Sequence, residues 1–119
     1  MELENQDGIL IKEIERIDSL IGKSKGLMFR EEGRALLEFS YDDRHSIWML
    51  FMCFPIDIAF IDQEKRIIDI KRDVKPLGVN PSTWKIYRPE KPCRYVLEVE
   101  SGLLDEKEFK IGDRLGFKN

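Results

Sequence analysis

The apolar residues of this chain come in strand-length runs, and charged or turn-forming clusters separate them. That spacing restricts the fold more than any other feature, because a run of that length with period-two alternation makes a half-buried strand and leaves no room for a long amphipathic helix. The clearest run is "RYVLEVES". Tyr95, Leu97 and Val99 point one way, and Val96, Glu98 and Glu100 point the other. "ALLEFS" reads as a strand and is followed by the turn-like "YDDRH". "DIAFID" and "IIDIKR" are joined by the polar "QEKR" and read as a hairpin. Ile9 and Ile11 alternate as in a strand, "WKIY" is a short extended piece, and "IGDRLGF" predicts a tight turn at Gly112 and Asp113 before a last short strand.

Helical signals are few. Asp18 or Ser19 can cap a short helix through "SLIGKSKGLMF", where Gly22 and Gly26 limit its length. "SGLLDEKEF" reads as a short helix or turn with Ser101 as its cap. Residues 1–7 read as a loose tail. The pattern predicts one domain over residues 1–119, of α+β class and predominantly β. The expected architecture is a small barrel-like or strongly bent, mostly antiparallel sheet with one or two short helices. The helical segments are too few and too short for the crossovers of a parallel nucleotide-binding sheet.

The densest apolar stretch, "SIWMLFMCFPIDIAFID", covers residues 46–62. Its uninterrupted apolar part, 47–56, is far shorter than the roughly 20 residues a bilayer requires. Asp57 and Asp62 flank the second apolar piece, and a carboxylate at mid-membrane costs on the order of 2.5 kcal/mol or more. The stretch is therefore read as protein core or as the wall of a cleft. The acidic, polar "MELENQDG" is the opposite of a secretion leader, so the expected location is the cytoplasm.

Acids number 23 and bases 20, for a net charge of -3, and the signs are mixed along the chain. A general attraction to nucleic acid or anionic lipid is not expected. Abundant Lys, Arg and Glu with little Asn and Gln is a bias of hyperthermophile proteins. The two cysteines, Cys53 and Cys93, have no C-x-x-C spacing, and His45 is the only histidine. These are poor material for a zinc site or a cysteine–histidine nucleophile. The sulfur atoms of Met28, Met49, Met52 and Cys53 suit a soft metal, but core packing is their commoner use. No metal or other cofactor is expected.

Four segments occur in an order that resembles the domain of unknown function 192 family: "GLMFR" (26–30), Trp48-Met49 with "PIDIAFID" (55–62), "RYVLEVESG" (94–102) and "IGDRLGF" (111–117). The similarity covers about residues 9–117. The resemblance implies a small, mostly β fold and no defined activity. Many family members carry a polar Lys-Asn-Thr-like triplet after the Trp-Met pair; here Leu50, Phe51 and Met52 stand there, as in the archaeal branch. Chemistry that depends on the polar triplet does not carry over.

Asp57 opens a strand of otherwise apolar residues, sharing a face with Ala59 and Ile61. A carboxylate there must be exposed, paired or shifted in pKa. It either grips a ligand or proton, or accepts hydrogen bonds from nearby backbone. Arg30 and Arg94 are candidate partners for it, or clamps for an anion. Trp48 and Met49 belong to the apolar wall. Trp84 lies in the proline-rich connection beside Lys85, Arg88 and Lys91, where it can border a cleft or pin its own loop. The expected ligand-binding set is thus Arg30, Trp48, Met49, Asp57, Trp84 and Arg94. The leading reading is a module that binds a small molecule or peptide. The alternatives are an enzyme with Asp57 as acid or base and an Arg clamp, and a homo-oligomeric or partner-binding subunit using the loop aromatics.

Overall fold

A computed structural model describes residues 1–18, 27, 30–48, 52–76 and 86–119. The helix expected through 19–29 falls outside them except for Leu27, and Met28, Met49, Leu50, Phe51, Trp84, Lys85 and the side chain of Trp48 also lie outside. Among the described residues ten strands run in the order β1 (Glu2–Glu4), β2 (Leu10–Ile11), β3 (Glu15–Ile17), β4 (Ala35–Asp43), β5 (Ile47–Trp48), β6 (Ile56–Ile61), β7 (Ile67–Val74), β8 (Ile86–Tyr87), β9 (Cys93–Glu100) and β10 (Gly116–Lys118). A short helix, α1 (Leu103–Glu106), follows β9.

The body is a five-stranded sheet in the order β3-β4-β9-β6-β7. Only β3 and β4 pair in parallel; the other pairs are antiparallel. Among the described residues β3 and β7 are unpaired edges, so the sheet is open where a closed barrel was one expectation. Register shifts in β4 and β6–β7 mark bulges, which bend a sheet locally. The β6–β7 hairpin turns on Asp62, whose Oδ1 accepts the N–H groups of Glu64 and Arg66 at 2.9 Å.

Both faces of this sheet are covered, and the alternation read from sequence sorts residues between them. Ala59 and Ile61 of β6 join Tyr95, Leu97 and Val99 of β9 in one cluster with Leu3, Ile11, Leu104 and Phe109. Ile56, Ile58 and Phe60 join Val96, Leu37, Ile17 and Leu27 in the other. The first face carries α1 and a three-stranded sheet in the order β10-β1-β2.

Three local expectations are corrected. Residues 1–7 are not a loose tail: β1 pairs with both β10 and β2, Leu3 is fully buried, and the Met1 amino group donates to Ile14 O at 2.8 Å. One buried leucine and two ladders outweigh the polarity of the flanking residues. The "YDDRH" segment does not turn at Tyr41, because β4 extends to Asp43, which pairs with Cys93 beyond a bulge. Ser101 does not cap α1. Gly102 takes the cap position at φ 90°, and the Ser101 hydroxyl donates to Asp73 Oδ1 at 2.8 Å.

Candidate ligand-binding face

Asp57 sits on β6 with 1 % exposure, on the face that carries α1. Its Oδ1 accepts the Asp73 N–H at 2.9 Å, and its Oδ2 accepts those of Gly102 at 3.0 Å and Leu104 at 3.3 Å. The first turn of a helix leaves backbone donors unsatisfied, and Asp57 supplies the acceptor that Gly102 lacks. Of its two readings, the geometry is that of the backbone acceptor.

The two arginines do not reach it. Arg30 pairs with Glu15, and Arg94 Nε donates to Asp42 Oδ1 at 2.8 Å. Both pairs are partly exposed, so neither guanidinium is committed to Asp57.

The opposite face holds a carboxylic acid with different surroundings. Glu98 lies on β9, between β4 and β6, directly opposite Ala35 on one side and Ile58 on the other. Residues straight across a ladder share a face. The same row continues to Glu15 beside Ala35 and to Lys71 beside Ile58. The outer members are satisfied, Glu15 by Arg30 and Lys71 by Asp69 at 3.3 Å. Glu98 is 4 % exposed, and among the described residues no hydrogen-bond donor or charged group acts on its carboxyl group. Burial alone raises its pKa from 4.5 to about 7, since the charged form loses water and gains nothing in return.

A ribbon packs on this face. In it β5 pairs with β8, placing Ile47 opposite Tyr87 and Trp48 opposite Ile86. Ile47 and Tyr87, followed by Met52 and Phe54, pack against the cluster that includes Ile58 and Val96. Along 52–55 burial alternates, with Met52 and Phe54 half-buried and Cys53 and Pro55 exposed, which is the pattern of a chain lying on an apolar surface. The described parts of the sulfur- and ring-rich stretch and the start of the 86–94 segment are therefore brought together. Among the described residues no group of three or more His, Cys, Asp or Glu has the arrangement of a metal site. Cys93 is buried; burial raises its pKa to about 11, against a smaller opposing effect of a hydrogen bond with the His45 backbone. No helix among them is long and apolar enough to cross a membrane.

Strand alternation alone puts Glu98 on this face, and the expected ligand-binding set omits it. The available signal was Val96, an apolar residue sharing that face two positions earlier.

The fold and site define a small, β-rich α+β domain in which, among the described residues, a buried acid without a partner stands on an apolar sheet face. Residues 2–117 match the family described as Uncharacterized ACR, DUF192, and the chain belongs to that family. It is 32% identical over 105 residues to the UPF0127 protein of Pyrococcus abyssi, covering 86% of this chain and 83% of that one. It is 30% identical over 106 residues to the Pyrococcus furiosus UPF0127 protein, covering 87% and 84%. Among solved structures, a protein of unknown function from Novosphingobium aromaticivorans aligns with TM-score 0.82 at 23% identity, over 98% of this chain and 82% of that one. A Sinorhizobium meliloti protein, whose name proposes a transcription regulator, aligns with TM-score 0.83 at 24% identity, over 97% and 89%. At those identities the likeness is one of fold.

Proposed function

We propose that this protein is a binding module that holds a mostly apolar small molecule or peptide segment between the β5–β8 ribbon and the second face of the sheet, with Glu98 as the polar anchor. The unpartnered carboxyl of Glu98 carries this reading. Ligand sites are mostly apolar and orient their ligand through a few polar groups. A buried acid without a donor is costly, and a ligand N–H or ammonium group would relieve that cost. The backbone of Trp48 belongs to the ribbon that forms the proposed wall, while Met49 and Trp84 of the expected set lie outside the described residues. Arg30 borders it through Glu15, in the same row as Glu98. Asp57 and Arg94 stay in the wider set as supports of α1 and of the β4–β9 pair.

A thermal-shift screen of metabolites and short apolar peptides, run in parallel on wild type and Glu98→Gln, tests the reading. Amine- or amide-bearing apolar compounds should raise the melting temperature of wild type and do so less in the variant. No stabilisation by any compound at saturating concentration would refute it.

The pKa near neutrality favours a second reading, an enzyme with Glu98 as general acid or base, because proton transfer is most efficient when the catalytic pKa lies near the working pH. Turnover of a compound that binds, lost in Glu98→Gln with binding retained, would select it over the binding module.

A further inference from the structure

A separate cavity of about 490 Å³ opens at the end of β4, lined by Asp43, Arg44, His45, Ser46 and Arg88. Arg16, Arg30, Arg34, Arg72 and Arg94 are each held in an ion pair. Among the described residues, neither Arg44 nor Arg88 is in one. Arg44 is nonetheless fixed, because its Nε donates to Pro89 O at 2.8 Å. That bond uses one guanidinium N–H and leaves the others for a further acceptor. It also ties the residue after β4 to the segment carrying Arg88. The one carboxylate of the lining, Asp43, has its Oδ1 turned back on the chain to accept the Arg44 N–H at 2.7 Å.

The remaining wall is preorganised. His45 is buried, stacked on Phe39 with ring centroids 3.7 Å apart and edge-on to Tyr41 at 4.9 Å. Its Nε2 lies 3.0 Å from Tyr41 O, and a carbonyl can only accept, so Nε2 carries the proton. Ser46 adds a hydroxyl. Two guanidinium groups face one carboxylate, so the lining is net positive although the chain is net negative.

From this arrangement we infer that the cavity binds a phosphate monoester through Arg44, Arg88 and Ser46. Arginine presents parallel donors to tetrahedral oxyanions, and two guanidinium groups match a charge of about -1.5 to -2 better than the single charge of a carboxylate. The volume exceeds what phosphate alone fills and lies within the roughly 300–1,000 Å³ of small-molecule sites. The lining residues are distinct from those of the Glu98 site, although Ser46 and Arg88 directly adjoin the ribbon strands Ile47–Trp48 and Ile86–Tyr87, and the proposal does not rest on that reading.

Amide chemical shifts followed by NMR at constant ionic strength test it, with inorganic phosphate, glycerol 3-phosphate, acetate and sodium chloride as separate titrants. Saturable shifts confined to residues 43–46 and 88–90 with the two phosphates are expected. Arg88→Gln, an exposed side chain, should weaken phosphate binding about tenfold or more. Arg44→Lys should retain part of the affinity and Arg44→Gln little. Glu98→Gln should leave it unchanged, which separates this site from the other. Tighter binding of glycerol 3-phosphate points to a phosphorylated metabolite, and equal binding points to free phosphate; both support the site. Shifts that sodium chloride reproduces, acetate binding as tight as phosphate, or undiminished affinity in Arg88→Gln would each overturn it.

Discussion

Replacing Glu98 by glutamine separates the charge of a buried acid from its shape. In the folded chain Glu98 titrates near 7, and in the unfolded chain near its ordinary 4.5. Below pH 4.5 both forms are protonated and the side chain carries no electrostatic penalty. As pH rises from 4.5 to 7 the unfolded chain releases its proton first, and stability falls; above 7 the loss is complete. The rise from 4.5 to about 7, at roughly 1.4 kcal/mol per tenfold change, amounts to about 3 kcal/mol. Because Glu98 is almost wholly enclosed, salt should screen little of this.

Glutamine does not ionise, so Glu98→Gln should escape the loss. Its amide brings its own donors into an apolar site, a cost of about 1–3 kcal/mol that does not depend on pH. The diagnostic is therefore the change with pH of the stability difference between variant and wild type. Guanidinium chloride unfolding at half-unit steps from pH 4.5 to 8.5 measures it, and contributions of all other titrating groups cancel in the difference. The difference should move in favour of the variant by about 3 kcal/mol across this window. A flat difference, or one moving the other way, would mean that Glu98 has a cationic or donor partner in the folded protein, and the argument for its role would fail.

Two further outcomes follow from the same structure. Asp57→Ala removes the acceptor of three backbone N–H groups and should cost about 3–5 kcal/mol, with faster amide exchange at Gly102 and Leu104; a loss under about 1 kcal/mol would show that water replaces the carboxylate without penalty. In a thiol-labelling time course at pH 8, exposed Cys53 should react well before Cys93, whose buried thiol titrates near 11, and Cys53→Ser should abolish the fast phase; fast labelling that persists in Cys53→Ser would contradict the burial of Cys93.

The alternating run at 95–99, the β6–β7 hairpin and the turn at Gly112–Asp113 were legible from sequence because each is set by neighbours a few residues apart. So was the sorting of β6 and β9 side chains into two sets, since that needs only the period of a strand. Asp57 was recognisable as a carboxylate that needed partners. The partners were not recognisable, because the Gly102 and Leu104 amides lie 45 and 47 residues away.

What the sequence determined by itself is the β-rich class, the strand faces and the absence of a membrane-length apolar run, all consequences of local spacing. Tertiary structure decided which strands are central, and that alone turned Glu98 from an ordinary strand residue into a buried acid. It also decided that residues 1–7 form a paired strand and that Arg44 and Arg88 share a cavity. The physical reason is common to all three. Desolvation and long-range pairing depend on what the rest of the chain places nearby, and a residue's own neighbours in sequence do not carry that information.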